Sequence, residues 1–508
     1  MKTRLLRFFS LVLCVFLILS ICGCGKQAED QEIMFEYEYE YVGGNSSMES
    51  SKNESFISQA PNMTVSSQVQ STESTQSSDA LPFTFEEYMH KSITISLYDS
   101  SCNTYGFTWN SIGKPISPVL KICKGNTFNE AKCQEFSVSY EMCETYFNES
   151  ASSLYYVSKS VVSGLEPNKE YTYQICDDGA KVYSVAATFK TSNPSDSSFT
   201  FLHFSDSQVL GTKDDIALGT DTGVAFGNVL AAATANCPSP AFMLHTGDIV
   251  EWSKYEGYWE NMLHFNEKYF IKYPFAVISG NHETIYRNGK NEIYKHFNIK
   301  TEGQKTEKGF YYYLDYSNTR FIMLNTYDTA SDKKLKDDQL TWLKGLLQNN
   351  PKKWTIVAMH NPLYSAGYWG SNPEHTAATE ALREQLSSLF AKYNVDIVLQ
   401  GHDHLFSRTH PIDENGSPIA NSETKAINSV KHYVKPNGTI YAMHGVSGTQ
   451  SKPYYSKYDS SYYAFLEDTN TFANSWAEIL VDNEKITVKV YSATNGTTKL
   501  IDSYGITK

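Results

Sequence analysis

Positive charge, histidine and long apolar runs are all scarce in this chain. Of its 508 residues 43 are Lys or Arg and 56 are Asp or Glu, giving a net charge of −13. A broad footprint on a nucleic-acid backbone needs clustered Lys and Arg, so that class of partner is not expected. A small phosphorylated ligand is still compatible, because bound cations supply positive charge locally. Beyond the N-terminus no apolar run is long enough to span a bilayer. The nine cysteines form no C-x-x-C pair, which argues against a structural zinc ribbon. H-E-x-x-H, G-x-S-x-G, the P-loop and G-x-G-x-x-G are missing too, so the standard mononuclear zinc protease, serine hydrolase and nucleotide-binding motifs find no support.

What is present begins with an address. "MKTRLLRFFSLVLCVFLILSICGCGK" carries Lys2, Arg4 and Arg7 ahead of an apolar stretch from Phe8 to Ile21. Its end resembles a bacterial lipoprotein signal, in which a small residue precedes a lipid-modified cysteine; Gly23-Cys24 fits that rule better than Ile21-Cys22. The expectation is a signal at 1–24 and an exported remainder, lipid-anchored through Cys24 on the outer face of the cell membrane, or secreted. Residues 25–84, rich in Ser and Thr, bury too little apolar area to offset their ordering entropy and read as a disordered tether. Of the six cysteines after Cys24, five fall between 102 and 176, where disulfides suit an exported protein; the sequence does not set their pairing.

The length calls for more than one domain, and 41% hydrophobic residues suffice for sizeable cores. From 85 to 192 the pattern is all β: "SITISLYD" and "TYGFTW" alternate, and Tyr171, Tyr173 and Ile175 share one strand face after the turn at Glu166-Pro167-Asn168. A small β-sandwich is the economical reading. After 196 the composition switches to α/β. "FTFLHFSD", "AFMLHTGD", "FAVISGNHE", "WTIVAMHNP" and "VDIVLQGHDH" are apolar runs that each end in polar or ionisable residues, with helical patterns at 217–236, 337–348 and 379–393 between them. Strands ending together would line Asp206, Asp248, Asn281, His282, His360, His402 and His404 along one rim. If the segment at 402–404 is extended, its two histidines point the same way. The set has the ligand types and number for two cations sharing a carboxylate. His203 and His245 fall off that face and read as core histidines; Arg408 and His410 read as salt bridge or loop packing.

Asp206-x-Gln208, Gly247-Asp248, Gly280-Asn281-His282-Glu283, His360 and Gly401-His402-Asp403-His404 come in the order of the calcineurin-like metallophosphoesterase superfamily. The chain most resembles its purple acid phosphatase-like branch. That resemblance implies a fibronectin-like β-sandwich at 85–192, then a four-layer α/β/β/α catalytic domain at 196–508. It implies that Asp248 bridges two metal ions (Fe, Zn or Mn), that Asp206 and His404 bind the first, and that Asn281, His360 and His402 bind the second. His282 would contact the phosphate or protonate the leaving oxygen. The implied activity is hydrolysis of phosphate monoesters, as in an acid phosphatase, by attack of a metal-activated hydroxide. Phosphodiesters or nucleotides are the alternative substrates, and a non-catalytic surface binding protein is the alternative class; oligomeric state is not legible.

The chain departs from the pattern twice. Gln208 stands where the wider superfamily often has histidine, and is either a metal ligand or a neighbour of one. Glu251 replaces the tyrosine whose phenolate colours the purple enzymes. A glutamate could ligate the first metal but gives no such band, so a colourless protein is expected.

Overall fold

The computed structural model describes residues 90–508 apart from 149–150, 194, 212–221, 285–291, 304–308, 451, 453–454, 456, 468–473 and 495–496. The signal, Cys24 and the tether lie outside the described residues. Eight strands come first: β1 (Lys91–Leu97), β2 (Tyr105–Ser111), β3 (Pro118–Lys124), β4 (Gln134–Asn148), β5 (Ala151–Val162), β6 (Glu170–Asp177), β7 (Val182–Tyr183) and β8 (Ala187–Lys190). They follow the order β1-β2-β5-β4-β3-β6, with β7 and β8 both on β6. Alternation explains them: Tyr171, Tyr173 and Ile175 of β6 are all buried on one face. The strands curl until Phe107 of β2 meets Tyr173 at 4.9 Å and Phe189 of β8 at 5.7 Å between ring centroids. Two faces closed on one aromatic core make a sandwich.

The remainder alternates strand and helix. It contains β9 (Ser198–Phe204), α1 (Thr222–Asn236), β10 (Met243–His245), α2 (Glu256–Phe270), β11 (Phe275–Val277), α3 (Asn281–Thr284) and α4 (Ile293–His296). Then come β12 (Tyr312–Tyr316), β13 (Thr319–Met323), α5 (Asp337–Gln348), β14 (Trp354–Ala358), α6 (Tyr368–Ser371), α7 (Ala377–Lys392) and β15 (Ile397–Gln400). The chain ends with β16 (Phe406–Thr409), β17 (Thr424–Ile427), β18 (Val430–Val434), β19 (Ile440–His444), β20 (Tyr463–Glu467), β21 (Ser475–Asp482), β22 (Lys485–Thr494) and β23 (Thr497–Thr507).

Two sheets face each other. In one, β9, β10 and β11 run parallel beside antiparallel β21; in the other, β13, β14, β15 and β19 run parallel. Phe201 and Phe242 of the first sheet's side meet Phe321 of the second at 5.1 and 5.2 Å. The period of two then sorts the buried strands: Phe321, Ile356 and Ile397 join the inter-sheet core, while Ile322, Val357 and Val398 pack with Leu343 and Leu347 of α5 and Leu382 and Leu386 of α7. Those leucines recur every four residues, which gives each helix one apolar stripe. On the other outer face Phe226 of α1 packs on Phe204 at 5.9 Å. The result is the four-layer α/β/β/α arrangement. β1 pairs in parallel with β11 at Ser96 and Phe275, so the hydrogen-bonded sheet runs on into the N-terminal strands across the 192–196 junction. No described helix is long and apolar enough to cross a membrane.

Candidate metal centre

The C-terminal ends of β9, β10, β11, β14 and β15 converge, and each delivers a polar side chain through a tight turn rather than an extended one. Five non-glycine residues there have left-handed backbone: Asp206 (φ 53°), Gln208 (38°), Asp248 (52°), His402 (80°) and His404 (54°). Such conformations cost an L-residue about 1–2 kcal/mol each and persist where surrounding bonds hold them. The extended geometry expected at 402–404 is therefore replaced by a turn. Its peptide N–H at His402 donates to both oxygens of Asp206 (3.0 and 3.1 Å), and its two imidazoles find different partners. Gly247, at φ +92°, is required next to Asp248: a Cβ there would lie 2.6 Å from the Gly280 nitrogen and 2.8 Å from His360 Nδ1.

The side chains interlock. His360 Nδ1 donates to the Thr246 carbonyl at 2.8 Å, which leaves Nε2 facing Asp248 Oδ2 at 3.1 Å and Asn281 Oδ1 at 3.2 Å. His402 Nδ1 lies 2.8 Å from the same Asn281 oxygen. His404 Nδ1 donates to the Gln450 carbonyl, so its Nε2 faces Asp206 Oδ1 at 3.4 Å. His282 donates from Nδ1 to the Glu251 carbonyl at 2.7 Å and from its backbone to Asp248 Oδ1 at 2.9 Å. Its Nε2 lies 2.8 Å from Gln208 Nε2. The Glu251 carboxylate accepts from Gln450 Nε2 at 2.9 Å, at the rim of the cluster.

Electrostatics follow from this packing. Burial opposes ionisation of Asp206 and Asp248, yet His404 and His360 beside the first, and His360 and His282 beside the second, hold both carboxyls below the ordinary range. Burial likewise opposes charge on His360, but Asp248 and Asp206 outweigh it and raise its pKa to about 9. His282 is raised the same way, burial losing to Asp248 and Glu251. His402 is pushed well down by burial and then by His360 and Lys452, which keeps it neutral.

This donor set fits cations. Ring nitrogens, a carboxylate and a carboxamide oxygen converge at 2.8–3.2 Å, and a cation could replace the ring protons that now bridge them. Asp248, His360 and His402 each offer a ligand atom within 4.8 Å of the others. Gln208 Oε1 is buried without a hydrogen-bond partner, as an oxygen kept for an ion would be. Nitrogen and hard-oxygen ligands together suit Zn, Fe or Mn.

Of the residues read from sequence, Asp206, Asp248, Asn281, His360, His402 and His404 share this network, with His282 and Gln208 on its flank and Glu251 at its edge. His203 and His245 lie behind it. His203 contacts His444 (3.0 Å) and Thr246 Oγ1 (3.0 Å), and His245 contacts Ser207 (3.0 Å). Arg408 is paired with Asp502 at 2.8 Å. Sequence reasoning assigned no role to Glu283, whose carboxylate collects backbone N–H groups around Asp248. It also missed Tyr327, whose hydroxyl donates to Asn281 Oδ1 at 3.2 Å and contacts Asn361 Oδ1. "TRFIMLNTYD" is a sixth apolar run with a polar end, and that signal could have found Tyr327.

One pH dependence follows from the buried histidine pair. Burial lowers the pKa of His444 from 6.5 to about 4. In the unfolded chain His444 takes a proton as pH falls through 6.5, whereas in the fold it does not until about 4. Stability is thus lost progressively over that window, by on the order of 3 kcal/mol, and no further below it. His444→Asn should flatten the fall in urea midpoint between pH 6.5 and 4; an unchanged slope would show that His444 does not carry it.

The calcineurin-like phosphoesterase family model matches residues 199–406. Similar proteins include "Probable inactive purple acid phosphatase 1" of Arabidopsis thaliana, 26% identical over 340 residues, which are 62% of this chain and 53% of that protein. "Purple acid phosphatase 23" of the same plant is 25% identical over 281 residues, covering 50% of this chain and 57% of that one. The chain thus spans little more than half the length of these relatives. Among solved structures, purple acid phosphatase PPD1 from yellow lupin seeds superposes with a TM-score of 0.68 at 18% identity, over 83% of this chain and 74% of that one; the likeness is one of fold.

Proposed function

We propose, from the match of residues 199–406 to the calcineurin-like phosphoesterase model and the likeness to purple acid phosphatases, an exported dinuclear-metal phosphatase acting on small phosphate monoesters. The observation that carries this is the convergence of Asn281, His360, His402 and Asp248 around one point. Asp206, Asp248 and His404 would hold one cation, and Asp248, Asn281, His360 and His402 the other, with Gln208 Oε1 available to the first. When bound, the two ions lower the pKa of water and neutralise phosphoryl oxygens. The protein's own groups do the rest. Before any cation binds, the neighbouring histidines hold Asp206 and Asp248 below the ordinary carboxylate range; a bound cation would take over that role once His360 gave up its proton to ligate. The Gly247 turn and the Thr246 carbonyl fix the His360 ring, and the Glu251 carbonyl orients His282. The raised pKa of His282 lets Nε2 hold a proton for the leaving oxygen or for charge on the phosphate. The contact of Gln208 Nε2 with His282 Nε2 suits the unprotonated ring and leaves Oε1 for a cation; protonation of the ring would break it.

Metal content of the full chain, with turnover of an aryl phosphate monoester against the bis-aryl diester, tests the reading. About two ions per chain and faster monoester cleavage are expected. Faster diester cleavage would move the substrate class to diesters or nucleotides, and less than one ion with no turnover would leave a binding protein. Colour is a second check. Glu251 stands where a tyrosine would supply the phenolate, and the Tyr327 hydroxyl is engaged with Asn281 Oδ1 (3.2 Å) and Asn361 Oδ1. Iron-loaded protein should be colourless, and a visible phenolate-to-iron band would contradict this. The anchor at Cys24 on the outer face of the cell membrane belongs to the same proposal. It would tether the enzyme where small phosphate esters reach it from outside.

A further inference from the structure

The short helix α6 lies against the candidate metal centre and takes no part in the roles above. It carries Tyr368 and Trp369. The Trp369 ring sits 5.9 Å from the His402 ring, tilted by 41°, and is half-buried. Behind it His375 packs edge-on at 4.8 Å, and His375 Nε2 lies 3.1 Å from the hydroxyl of Tyr368, which is 42% exposed. The position is fixed from the metal side. Asp403, buried between His402 and His404, accepts from the backbone of Trp369 (3.0 Å) and Gly370 (2.9 Å) and from Ser365 Oγ (2.6 Å). Gly367 makes the approach possible, since a Cβ there would lie 2.5 Å from Asp403 Cβ. One turn thus holds His402 in the candidate metal centre and clamps an indole beside it.

Close by, Lys452 is held on the His402 carbonyl at 3.3 Å; the indole itself is uncharged. It offers a face for a flat apolar group on an ester whose phosphoryl end lies among the cations. We propose that Trp369, backed by Tyr368 and His375, forms the leaving-group subsite and selects monoesters of planar aromatic alcohols over aliphatic ones. This rests on the phosphoesterase reading above.

The test compares phenyl phosphate with glycerol phosphate in the metal-loaded full chain and in its Trp369→Ala and Trp369→Phe variants. Alanine should lower kcat/KM for phenyl phosphate on the order of fivefold to tenfold, the yield of one aromatic stack. Glycerol phosphate should stay within about twofold of wild type, and phenylalanine should restore most of the loss. Equal losses on both esters, or none on either, overturn the proposal. Calorimetric binding of phenylphosphonate against methylphosphonate provides a readout without turnover. If wild type cleaves neither ester, the phosphatase reading fails. A phenylphosphonate preference that Trp369→Ala abolishes still supports the subsite, and equal binding of the two phosphonates removes it.

Discussion

Asp248→Asn should lower turnover by about a thousandfold or more and release at least one cation per chain. The side chain keeps its size, so packing changes little; what is lost is charge. Asp248 is buried, with Oδ2 3.1 Å from His360 Nε2 and Oδ1 accepting the His282 N–H at 2.9 Å. An amide in its place presents either an uncharged oxygen or an N–H donor to atoms that need an anion. As the ligand proposed to be common to both cations, Asp248 would act on both at once, whereas His404 or Asn281 would each serve one. Losing about 4 kcal/mol of stabilisation corresponds to three decades in rate. Metal analysis and steady-state kinetics on folded variant, checked by circular dichroism, decide the matter. Full activity in a metal-depleted variant would sink the mechanism.

What the sequence made legible follows from one rule: in α/β sheets, polar residues at the C-terminal ends of apolar runs share a rim. Asp206, Asp248, Asn281, His360, His402 and His404 obey it, because each sits within a few residues of its own strand. The rule is silent where a contact comes from distant chain. Gln450 reaches Glu251 across 199 positions and Asp403 reaches Trp369 across 34, and no local pattern marks either pair. Backbone hand was also invisible. Nothing in "GHDH" announces left-handed residues at His402 and His404, yet that turn sends one ring to Asn281 and the other to Asp206. Composition could separate the β-rich stretch from the α/β stretch at 192–196, but not foresee that β1 would join β11 and carry the sheet across.

The left-handed turn at Asp248 raises the question of what holds it, and Glu283 answers. Its carboxylate, 1% exposed, accepts the backbone N–H of Gly280 (2.7 Å), Ile249 (2.8 Å), Asp248 (2.9 Å) and Val250 (3.3 Å). Two loops that supply Asp248, Asn281 and His282 are thereby tied to one side chain. Burial and the neighbouring Asp248 carboxylate push its pKa up to about 7, against the pull of the Gly280 N–H and of His360. Glu283→Ala removes the acceptor from all four N–H groups at once. An unsatisfied buried donor costs about 1–3 kcal/mol, so a loss of at least about 4 kcal/mol is expected even after partial rehydration. Glu283→Gln keeps one oxygen but turns an NH₂ toward donors, so it should lie between alanine and wild type. Urea unfolding of the metal-free protein reads this directly, because no ion then masks the loss by binding the folded state. If the alanine midpoint matches wild type, Glu283 does not hold the turn. Some other contact must then keep Asp248 in its left-handed conformation, and the metal affinity of the variant should be unchanged as well.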